Sequence, residues 1–204
     1  MDPKLTRSHE HLKSETVSYI INSGFSRNSQ KHIRRIQKQI EDKFSDIVWA
    51  LPPDSLHITL MDWLAPFVDY GEHSDIVFHD IVGEYSHNLR EILGRFTSLQ
   101  LHFNTIKVSP TTIFIQATDS SLYNEIRGAF LERTDLLPNT KRPPTIVHTS
   151  IVRFTKEYDL TFIEDFVSRL KIDFIEEVKE FRLVRETQLP MLEYEIIDSF
   201  CIGR

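Results

Sequence analysis

Two short segments of this chain follow one pattern: an aliphatic residue, His, any residue, Thr or Ser, and a second aliphatic residue. They are residues 56–60 (LHITL) and 147–151 (VHTSI), about 90 positions apart, and each comes shortly after a pair of prolines. Alternation with a period of two is typical of a strand with one buried face. We therefore predict two strands, each with its His and its hydroxyl residue on the face turned away from the core.

The surroundings of the two segments also match. Each half of the chain reads as strand, helix, His-containing strand, helix and strand, over residues 15–108 and 111–202, although the letters agree poorly. A duplicated unit of this kind predicts a bilobal α+β fold with duplicated strand–helix–strand units, two mostly antiparallel sheets, outer helices and a central cleft. Residues 1–14 read as a polar leader, and residues 15–204 as a single bilobal domain whose lobes interleave.

Composition narrows the setting of this fold. A chain of 204 residues is long enough for one domain with a sizeable core. The single cysteine, Cys201, allows no intrachain disulfide and no thiolate cage, which favours a reducing, cytoplasmic setting. We expect no secretory signal in residues 1–13 and no contact with a membrane, because no apolar run approaches the roughly 20 residues that a span requires. We also expect a monomer.

The charge balance narrows the choice of partner. The formal net charge is -6, whereas proteins that grip long nucleic acids usually present a basic face and release counterions on binding. A local basic pocket remains compatible with that total. The predicted partner is therefore a small nucleotide or a short RNA.

The two predicted strands offer a set of groups suited to phosphodiester chemistry. An imidazole titrates near neutral pH, so His57 and His148 are able to act as a general base and a general acid. The hydroxyls of Thr59 and Ser150 are able to donate hydrogen bonds to the non-bridging phosphate oxygens. This chemistry calls for no cofactor and no metal.

Two H-x-[ST] strands at this spacing, in a duplicated α+β chain, resemble the 2H phosphoesterase superfamily. That superfamily includes 2′-5′ RNA ligase-like proteins, cyclic nucleotide phosphodiesterases and 2′,5′-oligonucleotide phosphodiesterases. The resemblance covers most of residues 15–202 by pattern and the two motifs by letters. It implies that His57 and His148 are the acid and the base, without assigning which is which, and that Thr59 and Ser150 bind the substrate phosphate.

Two aromatic residues follow the motifs at equivalent places. Trp63 and Phe154 each come six residues after a motif His, which keeps them on the same face as that His in a strand without a bulge. They are candidates to stack on a nucleobase, with a place at the edge of the core as the alternative.

Three basic residues flank the second motif. Arg142, on a proline-stiffened loop, and Arg153 are candidates to contact the substrate phosphate, although the odd offset of Arg153 predicts that it turns away from His148. Lys141 reads more simply as a solvated loop charge.

Three functions fit these features. The first is a metal-independent phosphodiesterase that opens a 2′,3′-cyclic phosphate or cleaves a 2′,5′ linkage, with a role in RNA processing. The alternatives are a nucleotide-binding module without turnover and a 2′-5′ RNA ligase. The chain has no glycine-rich phosphate loop and no G-x-S-x-G elbow, which argues against nucleoside triphosphate hydrolysis and serine hydrolase chemistry.

Overall fold

The computed structural model describes residues 4–203. Met1–Pro3, at the start of the predicted leader, and Arg204 lie outside the described residues. Nine strands, four α-helices and one short 3-10 helix (Pro53–Ser55) make up the regular structure of the described part. In chain order the strands and α-helices are β1 (Glu15–Ser23), α1 (Arg27–Phe44), β2 (Val48–Ala50), β3 (Ile58–Leu64), α2 (Ser74–Leu93), β4 (Leu99–Ser109), β5 (Thr112–Ala117), α3 (Ser121–Arg133), β6 (His148–Phe154), α4 (Leu160–Val167), β7 (Phe174–Val178), β8 (Glu180–Gln188) and β9 (Glu193–Cys201).

The strands form two antiparallel sheets. The four-stranded sheet has the order β3-β1-β8-β9, and the five-stranded sheet has the order β2-β6-β5-β4-β7. Apart from β2, the two orders correspond strand by strand, with the His-containing strands β3 and β6 in equivalent places. The predicted α+β class with two antiparallel sheets is confirmed. Each sheet contains strands from both halves of the sequence.

The helices follow from amphipathic patterns of the kind that the sequence shows. Helix α1 turns Ile33, Ile36 and Ile40 into the core at three- and four-residue spacing. Its N-cap is Ser26, whose hydroxyl accepts from the amide of Ser29.

Helices α1 and α3 each pack on the sheet that does not contain the strand preceding them. Helix α1 follows β1 of the four-stranded sheet but contacts β2, β6 and β7 of the five-stranded one. Helix α3 follows β5 of the five-stranded sheet but contacts β3 of the four-stranded one. This crossed packing is what lets a helix of one half reach the His strand of the other sheet.

The leader crosses from one sheet to the other. Arg7 donates its amide to the carbonyl of Pro110 in the β4–β5 turn, and Lys13 donates to the carbonyl of Leu189 in the β8–β9 turn. Among residues 4–203, no helix is both long and apolar enough to span a membrane.

Candidate active site

The two His strands meet where the sheets meet. Cα atoms of β3 and β6 approach one another within 8 Å. His57, directly before β3, and Thr59 are both partly exposed, as are His148 and Ser150 on β6. The four candidate groups therefore lie along the line of contact between the sheets, and none is sealed inside the core.

The two strands bury their residues in the same order. We count each motif His as the first residue of its segment. In both segments the first, third and sixth residues are partly exposed, and the second, fourth, fifth and seventh are buried. Two neighbouring buried residues break the period of two at the same point in both strands.

A bulge in each strand causes this break. On β3, Asn22 pairs with Thr59 and Ile21 with Met61, so Leu60 is an extra residue. On β6, Phe114 pairs with Ser150 and Ile113 with Val152, so Ile151 is the extra residue. A bulge shifts every later side chain to the opposite face.

The bulges overturn the predicted role of the two aromatic residues. Trp63 is fully buried and packs edge to face on Tyr85, with ring centroids 5.4 Å apart. Phe154 is fully buried too. Both belong to the core, so neither faces the cleft to stack on a base.

The residues directly before Trp63 and Phe154 are the ones that return to the cleft. Arg153, predicted to turn away from His148, is only partly buried, and its charge lowers the pKa of His148 and of His57. Asp62 holds the equivalent place on β3, and burial raises the pKa of its carboxyl group. The motif strands thus place one cation and one acid at matching points, five residues after each His.

A buried arginine holds β3 at its bulge. Arg127 on α3 is 3% exposed, and it donates from Nε to the carbonyl oxygen of Leu60 at 2.7 Å and from Nη2 to that of Thr59 at 2.8 Å. Its Nη1 lies 3.4 Å from the carbonyl oxygen of Ile146, two residues before His148. Burial lowers the pKa of Arg127 to about 10, which leaves it charged at neutral pH.

A buried glutamine occupies the equivalent position at the other bulge. Gln37 on α1 donates from Nε2 to the carbonyl oxygens of Ile151 and Leu51, both at 2.8 Å. Neither Arg127 nor Gln37 belongs to a local motif. Their position follows only from the crossed packing of α1 and α3.

A backbone carbonyl orients the imidazole of His57. The Nδ1 of His57 lies 2.8 Å from the carbonyl oxygen of Ser55 and, because a carbonyl only accepts, it carries the proton and leaves the Nε2 lone pair free. The carbonyl of Ile146, two residues before His148, favours the protonated form of that imidazole and so acts to raise its pKa. The ring of Phe114 packs edge to face on His148, with centroids 5.3 Å apart.

Both imidazoles are held neutral. The pKa of His57 is lowered to about 4, chiefly by burial, against the opposing effect of the Ser55 carbonyl and with a smaller contribution from the positive charges of Arg182 and Arg153. Burial, followed by Arg127 and Arg153, also lowers the pKa of His148. An anion placed between them would reverse part of this effect, because it favours the charged imidazolium.

Hydrogen-bond donors beside Thr59 lack partners. Cross-strand pairing places Asn22 next to Thr59 and Arg182 next to Asn22, and Arg182 donates from Nη2 to Oδ1 of Asn22 at 2.9 Å. Among the described residues, two buried donors at this corner, Nδ2 of Asn22 and Nε of Arg182, make no hydrogen bond. A Cβ at Gly24 would lie 3.2 Å from Nη2 of Arg182, so this glycine leaves room for the guanidinium.

The two basic residues of the loop before β6, Lys141 and Arg142, lie in different surroundings. Lys141 lines a cavity together with Arg153 of β6. Arg142 is exposed, and its contact with a substrate phosphate stays a prediction. Within the described part of the chain, no three His, Cys, Asp or Glu side chains are grouped closely enough to hold a metal ion.

Comparison with known proteins places this site in a known fold. No protein-family model and no curated protein matches the chain. Among solved structures, TT0787 of Thermus thermophilus is similar with a TM-score of 0.63 and 12% identity, over 91% of this chain and 98% of that one. E. coli LigT complexed with 3′-AMP is similar with a TM-score of 0.58 and 13% identity, over 94% of this chain and 100% of that one. The MHV ns2 PDE domain is similar with a TM-score of 0.52 and 12% identity, over 83% of this chain and 99% of that one. The resemblance to the 2H phosphoesterases is thus confirmed in the fold.

Proposed function

We propose that this protein is a phosphodiesterase that opens a 2′,3′-cyclic phosphate or cleaves a 2′,5′ linkage in a small nucleotide or at the end of a short RNA, with no metal. The observation that carries the proposal is the match between the two His strands. Each brings one imidazole and one hydroxyl to the line where the sheets meet, and each repeats the same order of burial. We further propose that it acts as a monomer in the cytoplasm, in RNA processing.

In the proposed reaction, His57 is the general base. Its pKa of about 4 leaves it neutral at pH 7, and the bond from Nδ1 to the Ser55 carbonyl leaves Nε2 to take a proton from the attacking water. The water oxygen bonds to phosphorus, and the bond from phosphorus to the leaving ribose oxygen breaks.

His148 is the general acid in this scheme. The bound phosphodiester anion raises the pKa of the nearby imidazole, so His148 enters the reaction protonated and gives its proton to the leaving oxygen. The hydroxyls of Thr59 and Ser150 donate to the non-bridging oxygens and hold phosphorus between the rings. General acid–base catalysis by one such group is typically worth about 10²–10⁴-fold.

The unpartnered donors support an anionic ligand. Asn22 Nδ2 and Arg182 Nε lie beside Thr59 without hydrogen bonds to any described residue, and a buried donor without a partner costs about 1–3 kcal/mol. A phosphate oxygen near Thr59 would supply the acceptor that this corner lacks. The similar fold of LigT, crystallised with 3′-AMP, ATP, NADP+ and phosphate, supports a small nucleotide as the ligand.

One observation favours the alternative of a binding module. With both imidazoles neutral in the empty cleft, turnover depends entirely on the proton that comes with substrate binding. Tight nucleotide binding with no product after long incubation would favour that alternative over the enzyme.

The experiment is a substrate panel read by phosphorus NMR. It contains a 2′,3′-cyclic nucleotide, a 2′,5′-linked oligoadenylate and a pair of RNA ends, each with EDTA present. We expect hydrolysis of one of the first two at an unchanged rate in EDTA. Loss of turnover with EDTA would overturn the metal-free mechanism, and a joined 2′,5′ product from the RNA ends would establish the ligase instead.

A further inference from the structure

The leader residues 8–12 span a gap between the two sheets. On one side, the amides of Thr6 and Arg7 donate to the carbonyls of Tyr158 and Pro110, at 2.8 and 2.7 Å. On the other side, the amide of Lys13 donates to the carbonyl of Leu189 at 3.0 Å. We call residues 4–14 the N-terminal strap.

A cavity of about 730 Å³ lies beneath the strap. Its walls are strap residues 7–12, residues 66–68 after β3, the β8–β9 turn and the Arg153 end of β6. Ligand pockets usually measure about 300–1,000 Å³, so one nucleotide unit fits this space.

The cavity is basic although the chain is acidic. Arg7, Lys141 and Arg153 line it as permanent cations, with Glu10 as the one carboxylate among its lining residues. The chain as a whole carries a formal charge of -6. A local excess of positive charge in an acidic protein is suited to attract a phosphate group.

The same cavity presents a flat ring. His11 stacks on Phe67, with ring centroids 3.9 Å apart and planes 28° apart. Phe67 is 50% exposed and has a φ of 59°, a left-handed conformation that a bulky residue adopts at a cost. The fold thus holds an aromatic ring at the cavity wall instead of burying it.

Arg153 connects this cavity with the candidate active site. It lines the cavity, and its charge acts on His57 and His148 on one side and on His9 of the strap on the other. A ligand whose scissile phosphate lies between the motif histidines would therefore reach the cavity with its next unit.

We propose that the strap cavity binds a second phosphate-bearing nucleotide of the same substrate molecule, with Arg7, Lys141 and Arg153 holding its phosphate and Phe67 its base. This inference rests on the proposed function and selects oligonucleotides over single cyclic nucleotides as its substrates. The strap, contributed by residues that carry no motif, is then a specificity element.

The test compares two substrates that share the reacting bond, a 2′,3′-cyclic mononucleotide and a trinucleotide that ends in a 2′,3′-cyclic phosphate. We expect a higher kcat/KM for the trinucleotide in the native protein. In Arg7→Ala and Lys141→Ala the ratio of the two kcat/KM values should fall about tenfold, as loss of one charge-assisted hydrogen bond predicts. Lys156→Ala removes an exposed lysine outside the cavity and should leave the ratio unchanged. Equal kcat/KM values in the native protein, or an unchanged ratio in both cavity variants, would overturn the inference.

A binding measurement separates this inference from the proposed reaction. Calorimetric titration measures the binding of two ligands. The first is a trinucleotide that has phosphorothioate linkages and a 3′-phosphate end, and the second is a nucleoside 3′-phosphate. We expect the trinucleotide to bind about tenfold more tightly, and Lys141→Ala to remove that advantage. If neither cyclic substrate nor a 2′,5′-linked oligoadenylate is turned over, the proposed reaction fails while this titration still decides the cavity. Equal Kd values for the two ligands would overturn the cavity assignment even in an active enzyme.

Discussion

Arg127 donates from Nε to the carbonyl oxygen of Leu60 at 2.7 Å, and Leu60 is the extra residue at which β3 bulges away from its pairing with β1. The bulge leaves this carbonyl without a regular partner in the ladder, and the guanidinium supplies one. Gln37 donates to the carbonyl at the equivalent place on β6, that of Ile151, which also accepts from the amide of Leu51 at 3.0 Å. Each His strand is therefore supported in its bulged form by one buried side chain from a helix.

Replacement of Arg127 by Met should damage both stability and turnover. It removes the donor to the buried carbonyl of Leu60 and to the partly buried carbonyl of Thr59, so we expect the free energy of unfolding to fall by about 2–4 kcal/mol. Because the motif strand loses its support, kcat should fall more than KM rises. Urea unfolding and steady-state kinetics check both effects. Arg133→Met, at an exposed site on the same helix, is the control, and equal behaviour of the two variants would refute a role for Arg127 in holding the site.

Removal of either motif imidazole should abolish most of the activity. We expect His57→Ala and His148→Ala each to lower kcat by at least about 10²-fold while the fold is retained, since each removes one proton-transfer group. His79→Ala, which removes an exposed imidazole on α2, should behave as the native protein. Turnover by both motif variants at the native rate would exclude the two-histidine mechanism.

The low pKa of His57 should make stability depend on pH. In the unfolded chain this imidazole titrates near 6.5, whereas in the fold its pKa is about 4, so between these values only the unfolded chain binds the proton. The free energy of unfolding should thus fall as the pH is lowered from 6.5 towards 4, by at most about 3 kcal/mol from this group, and then level off. Urea unfolding of the native protein and His57→Gln at pH 7.5 and 5 isolates the effect. A loss of stability as large in the variant as in the native protein would contradict it.

Arg182 should affect both substrate binding and the titration of His57. In Arg182→Gln we expect KM for an anionic substrate to rise about tenfold, since one charge-assisted contact is lost. The acid limb of the kcat/KM profile should move to higher pH, because the positive charge that lowers the pKa of His57 is gone. Arg169→Gln, at an exposed site, serves as the control. A rise in KM with no movement of the limb would place Arg182 away from His57 in solution.

Trp63 should prove structural. Because it is fully buried, Trp63→Phe should lower the free energy of unfolding by about 1–3 kcal/mol and leave KM for nucleotides within about twofold of the native value. A stacking residue would behave in the opposite way, with a loss of about 1–3 kcal/mol in binding. Thermal unfolding and kinetics on the same preparation distinguish the two.

The alternation of apolar and polar residues is enough to predict the two His strands and the face on which their functional groups lie. The letters of 56–60 and 147–151 predict two strands with His and hydroxyl on one face, and that arrangement holds as far as Thr59 and Ser150. These segments are short, regular and preceded by prolines, so local pattern determines them.

The same reasoning fails beyond the bulges. A bulge depends on which residues pair across strands and on whether a helix can satisfy the freed carbonyl, and neither is written in the strand itself. For that reason strict alternation places Trp63 and Phe154 in the cleft and Arg153 away from it, which is wrong for all three. An aliphatic or thioether residue directly after Leu60 and after Ile151 is the one signal of the break, since two successive apolar residues do not fit strict alternation.

Asn22 and Arg182 are beyond the reach of a motif search for a different reason. They lie on neighbouring strands β1 and β8, but 160 positions separate them in the chain. No local pattern connects residues at that distance, and only the strand order brings them beside Thr59.

The interleaving of strands also decides when the cleft comes into existence. Joining β8 to β1 closes a loop of well over a hundred residues, and contacts of such long range form slowly. Until then β1 keeps an open edge, which is where an unfinished chain is most prone to aggregate. A polypeptide synthesised only as far as residue 179 would hold both histidines and both hydroxyls, yet it would have no strand on which to complete the floor beneath them.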